Sequence, residues 1–80
     1  MPMYFFDVVE VDGSVLRDVV VVELDGPQHA LDVASKTVMD VLLDEAPRHP
    51  EFMVQVIVRD DRGGEIGRRD ATLIQSDKLD

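Results

Sequence analysis

An α+β fold of order ββαββ is what this sequence predicts, with one helix on one face of a four-stranded antiparallel sheet. Three observations predict it. Asp12-Gly13 lies between two apolar runs near the N-terminus. Arg62-Gly63-Gly64 lies between two more near the C-terminus. Between these turn signatures runs one segment of helical period, opened by Gly26-Pro27 and closed before Pro47. Glycine-containing turns between β-rich runs mark hairpins, and a single amphipathic stretch between two hairpins supplies one covering layer. The whole chain, 1–80, reads as one domain, because 80 residues make one core and not two.

The first hairpin is expected over residues 3–24. Met3-Tyr4-Phe5-Phe6-Asp7-Val8-Val9 is aromatic and β-branched, and its apolar groups fall on both faces, which suits a central strand. Asp12-Gly13 supplies the positive φ angles of a tight turn. Val15-Leu16 and Val19 to Leu24 return the chain, with an interruption expected near Arg17-Asp18. The helix is expected over 27–46. Pro27 fits the first helical position, where no backbone donor is needed. Leu31, Ala34, Val38 and Val41 or Leu42 recur at helical spacing, widened by Ala30, Val33 and Thr37, with Asp32, Lys36, Asp40 and Asp44 on the other side. Asp32 and Lys36 have the favourable acid-before-base order. Pro47 and Pro50 then break the pattern.

The second hairpin is expected over 52–74. Phe52, Val54, Val56 and Val58 share one face of its first strand, and Met53, Gln55, Ile57 and Arg59 share the other. The last strand is the weakest: Gly67 lowers its propensity and Arg68-Arg69-Asp70 is strongly polar, which suits an edge. Residues 75–80 are expected to fray. A helix of about 19 residues is roughly 28 Å long, and a strand of about eight is roughly 26 Å, so one helix matches one sheet face. If the crossover sets the third strand beside the first, the order is 2-1-3-4, and the aromatic strand is central as its composition requires.

Composition narrows the function classes. The net charge is −9 and the pI about 4.4, which argues against general nucleic-acid binding and against anionic membrane surfaces. The charge is uneven: residues 1–47 hold ten acids against two bases, a net of −8, and residues 48–80 hold seven against six, a net of −1. One pole could attract a basic protein; the plainer reading is a solvated acidic surface. No Lys or Arg precedes Arg17, so no signal peptide is expected. Val19-Val20-Val21-Val22 is far too short to span a bilayer, and a cytoplasmic location is the expectation. With no cysteine, disulfides and thiolate zinc sites are excluded. A chain this short buries only about 60% of its unfolded surface. Bulky apolar groups lie on both sheet faces while one helix covers one, so a homodimer is expected, packed sheet to sheet or edge to edge, against the plainer reading of a small apolar patch flanked by Arg and Asp.

Candidate chemistry is sparse. His29, with Asp25 and Asp32 nearby, offers a single i,i+3 pair, and acids near a helix start already answer the helix dipole. His49 sits in Pro47-Arg48-His49-Pro50. Ser14, Ser35 and Ser76 lie in a turn, a helix and a tail, none in a nucleophile elbow. Asp60-Asp61-Arg62-Gly63-Gly64-Glu65 lacks the ligand spacing of a calcium loop and the Lys-Ser/Thr of a phosphate loop, so a hairpin turn explains it. Arg59, Arg62, Arg68 and Arg69 are expected to pair with Asp60, Asp61, Glu65 and Asp70. No catalytic residue, metal or cofactor is predicted. The candidate interaction residues are Tyr4, Asp18, Glu23, His29, Arg68 and Arg69.

Met1-Pro2-Met3-Tyr4-Phe5-Phe6, Asp12-Gly13, then Asp18, Glu23 and Leu24, with Ala30 and Ala34 on the helix, resemble a family of small uncharacterised bacterial proteins, a domain of unknown function. Val21 stands where that family usually has glycine. The resemblance implies the fold and a bacterial cytoplasmic setting, and brings no activity. The short Tyr-containing strand, turn and return before a helix are also similar to HicB-like antitoxins, although their Pro-Asp-x-Pro-Gly stretch is missing. Three functions follow as expectations: a non-enzymatic acidic interaction module acting as a homodimer; an antitoxin-like inhibitor of a basic enzyme; or a small-ligand binder or enzyme with its site at a dimer interface.

Overall fold

Strand-forming residues at both ends and a helix between them fold as the spacing requires. The computed structural model describes residues 2–10, 15–45, 48 and 51–79, and for 15–21 the backbone alone. The elements are β1 (Met3–Val9), β2 (Val15–Glu23), α1 (Pro27–Glu45), β3 (Glu51–Arg59) and β4 (Glu65–Ile74). The sheet order is β2-β1-β3-β4, and every neighbouring pair is antiparallel. The aromatic strand is therefore internal and the Arg-rich strand lies at an edge. Asp12-Gly13, where a turn is expected, Pro47 and Pro50, where the helical pattern is expected to break, Ala46, His49 and the side chain of Asp18 lie outside the described residues.

The helix starts where Gly26 O accepts from Ala30 N at 3.1 Å. Ala30, Ala34 and Val38 form its buried stripe. With Tyr4, Phe6 and Val8 of β1 and Phe52, Val54, Val56 and Val58 of β3 they form one buried cluster. Phe6, Val54, Val56 and Val58 are fully buried; each such side chain contributes on the order of 1.5–3 kcal/mol relative to exposure. On β4, Ala71 and Leu73 join the margin of this core. The Asp32–Lys36 pair expected on the outward face is not among the ion pairs of the described residues; Asp32 Oδ1 instead accepts from Gln28 Nε2 at 3.0 Å.

Two irregularities shape the sheet. Between the partners Phe6↔Val20 and Val8↔Leu16, Asp7 alone faces residues 17–19 of β2. This is the interruption expected near Arg17-Asp18. On the other side, Val58 faces Gly67 but Arg59 faces Glu65, so Ile66 is an extra residue in β4. The bulge turns Ile66 toward the core margin.

Gly67 has a positive reason to be glycine, beyond the weak propensity read from the sequence. A Cβ built there would lie 2.6 Å from Leu31 Cδ2. The helix crosses β4 at this point, and a bare backbone lets it approach.

The β3–β4 turn is built on Asp60. Its Oδ1 accepts from Arg62 N at 3.0 Å and Gly64 N at 2.9 Å. Gly63 N donates to Asp60 O, and Asp60 N donates to Gly64 O. Gly63 takes φ +83°, the left-handed conformation that glycine adopts without steric cost. The Asp60 carboxylate is thus engaged in turn geometry, as the hairpin reading of this segment requires.

Candidate functional site

The sheet has two faces with different chemistry, and strand alternation decides which residue serves which. The helix-side face is the core. The open face carries Met3, Phe5, Asp7 and Val9 of β1, Met53, Gln55, Ile57 and Arg59 of β3, and Glu65, Arg68, Asp70 and Thr72 of β4. Its cross-strand rows follow from the register. Asp7, Ile57 and Arg68 form one row, Phe5, Arg59 and Glu65 a second, and Val9, Gln55 and Asp70 a third. No described element packs on this face.

Two of the carboxylates on the open face are paired locally. Arg59 Nε donates to Asp7 Oδ2 at 2.8 Å, and Nη2 donates to Oδ1 at 3.1 Å. This two-pronged geometry is the strongest form of carboxylate recognition. The Asp7 side chain is 3% exposed and that of Arg59 20%. Arg59 also places its guanidinium carbon 5.5 Å from the centre of the Phe5 ring, its register partner, a cation–π contact. A turn away, Arg68 Nε donates to Glu65 Oε2 at 2.9 Å and Nη2 to Oε1, and Nη1 reaches Gln55 Oε1 at 3.4 Å. The hydrogen bond from Arg68 holds the Glu65 carboxyl below its ordinary range, and the same pair raises Arg68.

These pairings correct the sequence expectation for the basic hairpin. Arg68 does pair with nearby Glu65, but Arg59 reaches across the sheet to Asp7, and Asp60 serves the turn. Sequence reasoning missed the Asp7–Arg59 pair. The signal was present: a lone acid flanked by Phe6 and Val8 in an internal strand needs a cation.

The five candidate interaction residues whose side chains are described do not form one site; Asp18 lies outside them. Tyr4 is buried in the core cluster. Glu23 is exposed at the end of β2, opposite Met3. His29 is exposed in the first turn of α1, with Nδ1 3.9 Å from Asp25 Oδ2. Arg68 and Arg69, adjacent in sequence, separate to opposite faces. Arg68 lies on the open face, whereas Arg69 turns toward the helix, where its Nε donates to Ser35 Oγ at 3.0 Å. Ser35 in turn donates to Leu31 O at 3.2 Å. Among the described residues no group of three or more His, Asp or Glu side chains is placed to hold a metal ion, and no helix is long and apolar enough to cross a membrane.

The outward face of α1 is the second distinctive surface. Met39 (49% exposed) and Leu43 (71% exposed) lie one turn apart on it. Asp32, Asp40 and Asp44 are exposed around them, with Lys36 the base on that side. Apolar side chains amid acids, on a helix already anchored by its other face, form a surface for contact with another molecule rather than for chemistry.

An antiparallel sheet of order 2-1-3-4 with a single helix on one face, built from two hairpins, defines a small two-layer α+β module. The chain belongs to the family described as a domain of unknown function (DUF6894), whose model matches residues 3–71, from the start of β1 into β4. No curated protein and no solved structure matches it.

Proposed function

We propose that the protein is an acidic, non-enzymatic interaction module that works as a homodimer and presents the outward face of α1 to a basic protein partner. The observation that carries this reading is the exposed Met39–Leu43 pair framed by Asp32, Asp40 and Asp44. An apolar anchor with an acidic rim is complementary to an apolar groove with a basic rim, the common geometry of helix-in-groove recognition. The acidic rim speeds encounter and sets specificity, and the apolar pair supplies affinity.

The test is capture of partners by the tagged chain, compared between wild type and a Leu43→Lys variant. Expected is one stoichiometric basic protein, retained at low salt, released at high salt and lost with Leu43→Lys. Recovery of the chain alone, or the same protein with both variants, overturns the reading. If the captured protein is an enzyme whose activity falls on binding, the module is an inhibitor of the antitoxin-like kind. A thermal shift with a metabolite in place of protein capture would favour a small-ligand site at the dimer interface.

A further inference from the structure

We infer that the open face of the sheet is the interface with a second copy of this chain, two sheets packing face to face with a helix outside each. The inference rests on the homodimer reading above and assigns it a surface. Met3, Phe5, Val9, Met53, Ile57 and Ile74 place apolar groups on this face, Met53 and Ile74 being 42% and 70% exposed. Ile57 stands near its centre, with register partners on both sides.

Charge selects the occupant. Two copies of a chain with net charge −9 repel each other, so they can meet closely only where each copy's charge is already cancelled. On the open face Asp7 is bonded to Arg59 and Glu65 to Arg68, so its middle rows are neutral; Asp70, on the edge strand beside Arg68, is the acid in excess. Glu23 and Glu51 fall at strand ends, on the rim. On the helix's outward face Asp32, Asp40 and Asp44 stand beside Lys36 with no ion pair among the described residues, so no bonded base screens them. A basic partner is therefore drawn to the helix side, and a like-charged copy is tolerated on the sheet side.

Area is sufficient. Four strands about 4.8 Å apart and about nine residues long at roughly 3.3 Å each give a face of about 570 Å². Pairing two such faces covers roughly 1,100 Å², just past the ~1,000 Å² that a specific interface requires. Sheets packed in this way sit about 10 Å apart with strands nearly aligned.

Sedimentation equilibrium of the full chain tests this across micromolar to hundreds of micromolar concentration. Expected is a species of twice the 9.0 kDa chain mass. Ile57→Lys, checked for retained folding by circular dichroism, should weaken it on the order of a hundredfold, as loss of a central apolar anchor does. Leu43→Lys should leave it intact. Because the chain has no cysteine, single thiols give a second reading that does not depend on how Ile57→Lys folds. The Met53→Cys thiol should be alkylated several-fold more slowly at high protein concentration, and the Leu43→Cys thiol at a constant rate. A dimer in which Leu43→Cys is protected and Met53→Cys is not overturns the assigned face and leaves the homodimer reading standing. A wild-type chain that stays monomeric overturns both.

Discussion

Replacing Gly67 by alanine isolates the contact that sets the helix against the sheet edge. The alanine Cβ would lie 2.6 Å from Leu31 Cδ2, about 1 Å closer than the optimum for two carbons. Two opposing terms follow. Glycine within a strand costs about 0.5–1 kcal/mol relative to alanine, so the substitution gains that much. Forcing a methyl into an occupied position costs about 1–3 kcal/mol, because Leu31 must rotate or α1 must lift, and Leu31 lies directly beside Ser35, which holds Arg69. The net expectation is destabilisation by up to about 2.5 kcal/mol, centred on about 1, the crowding term outweighing the propensity term. Removing the opposing side chain reverses the sign. In a Leu31→Ala background, Gly67→Ala should stabilise by about 0.5–1 kcal/mol, since only the backbone term remains. Urea unfolding followed by far-ultraviolet circular dichroism, for the four chains at one protein concentration, gives the coupling directly. An effect of Gly67→Ala that agrees in both backgrounds to within about 0.5 kcal/mol, the scatter expected of independent sites, would refute the close-approach reasoning.

Three further outcomes are expected. Asp7→Ala should destabilise by about 3–5 kcal/mol, the cost of breaking a largely buried ion pair by removing one member, whereas the double replacement Asp7→Leu with Arg59→Met should recover most of that loss; equal destabilisation of the two in urea unfolding would contradict it. Glu65 should titrate below the ordinary glutamate range because Arg68 donates to it. A carboxyl whose folded value is depressed adds stability above its unfolded pKa and loses it as pH falls through the folded one, so this pair's contribution should fade on acidification from the ordinary carboxylate range downward. Carbon-detected NMR of Glu65, with the midpoint rising in Arg68→Gln, checks the cause. Ser35→Ala should cost about 0.5–1.5 kcal/mol, the loss of a hydrogen bond joining α1 to β4, and unchanged urea stability would show that bond to be idle.

The sheet order and the element positions were legible because they follow from local signals. Phe5 and Phe6, flanked by Tyr4 and Val8, demand burial on both sides, which places β1 inside the sheet; Arg68-Arg69-Asp70 tolerates an edge. The 19-residue helix matches the stretch of helical period after Pro27. What was not legible depends on register. Asp7 and Arg59 are 52 residues apart, and nothing local to either names the other. The alternation rule separates Arg68 from Arg69, but the face each takes depends on Ile66 being bulged, which shifts the ladder by one. Gly67 looks like a defect in a strand until the helix position above it is known. The two interaction surfaces have the same character. Exposure of Leu43 and Met39 is a statement about the helix's rotation, and the balance of charge on the open face is a statement about which acids end up opposite which bases.

The Asp7–Arg59 pair has a further consequence for how the two hairpins join. Each hairpin pairs strands close in sequence, but β1 and β3 must find each other across the helix, and their ladder runs only from Phe5↔Arg59 to Val9↔Gln55. Apolar alternation alone would accept a slip of two residues, since Phe6, Val8, Val54, Val56 and Val58 would still face the helix. The ion pair does not accept it. A slip of two would carry Arg59 away from Asp7 and break an ion pair whose acid is almost wholly buried, a costly change in a protein interior. The ladders on either side are irregular at the same place: β2 slips past β1 opposite Asp7, and β4 slips past β3 beside Arg59. Bulges increase local twist and re-aim side chains, and here they flank the two strands whose charged groups meet diagonally across the sheet. The valines thus supply the adhesion between the hairpins, while Asp7 and Arg59 fix the register in which they adhere.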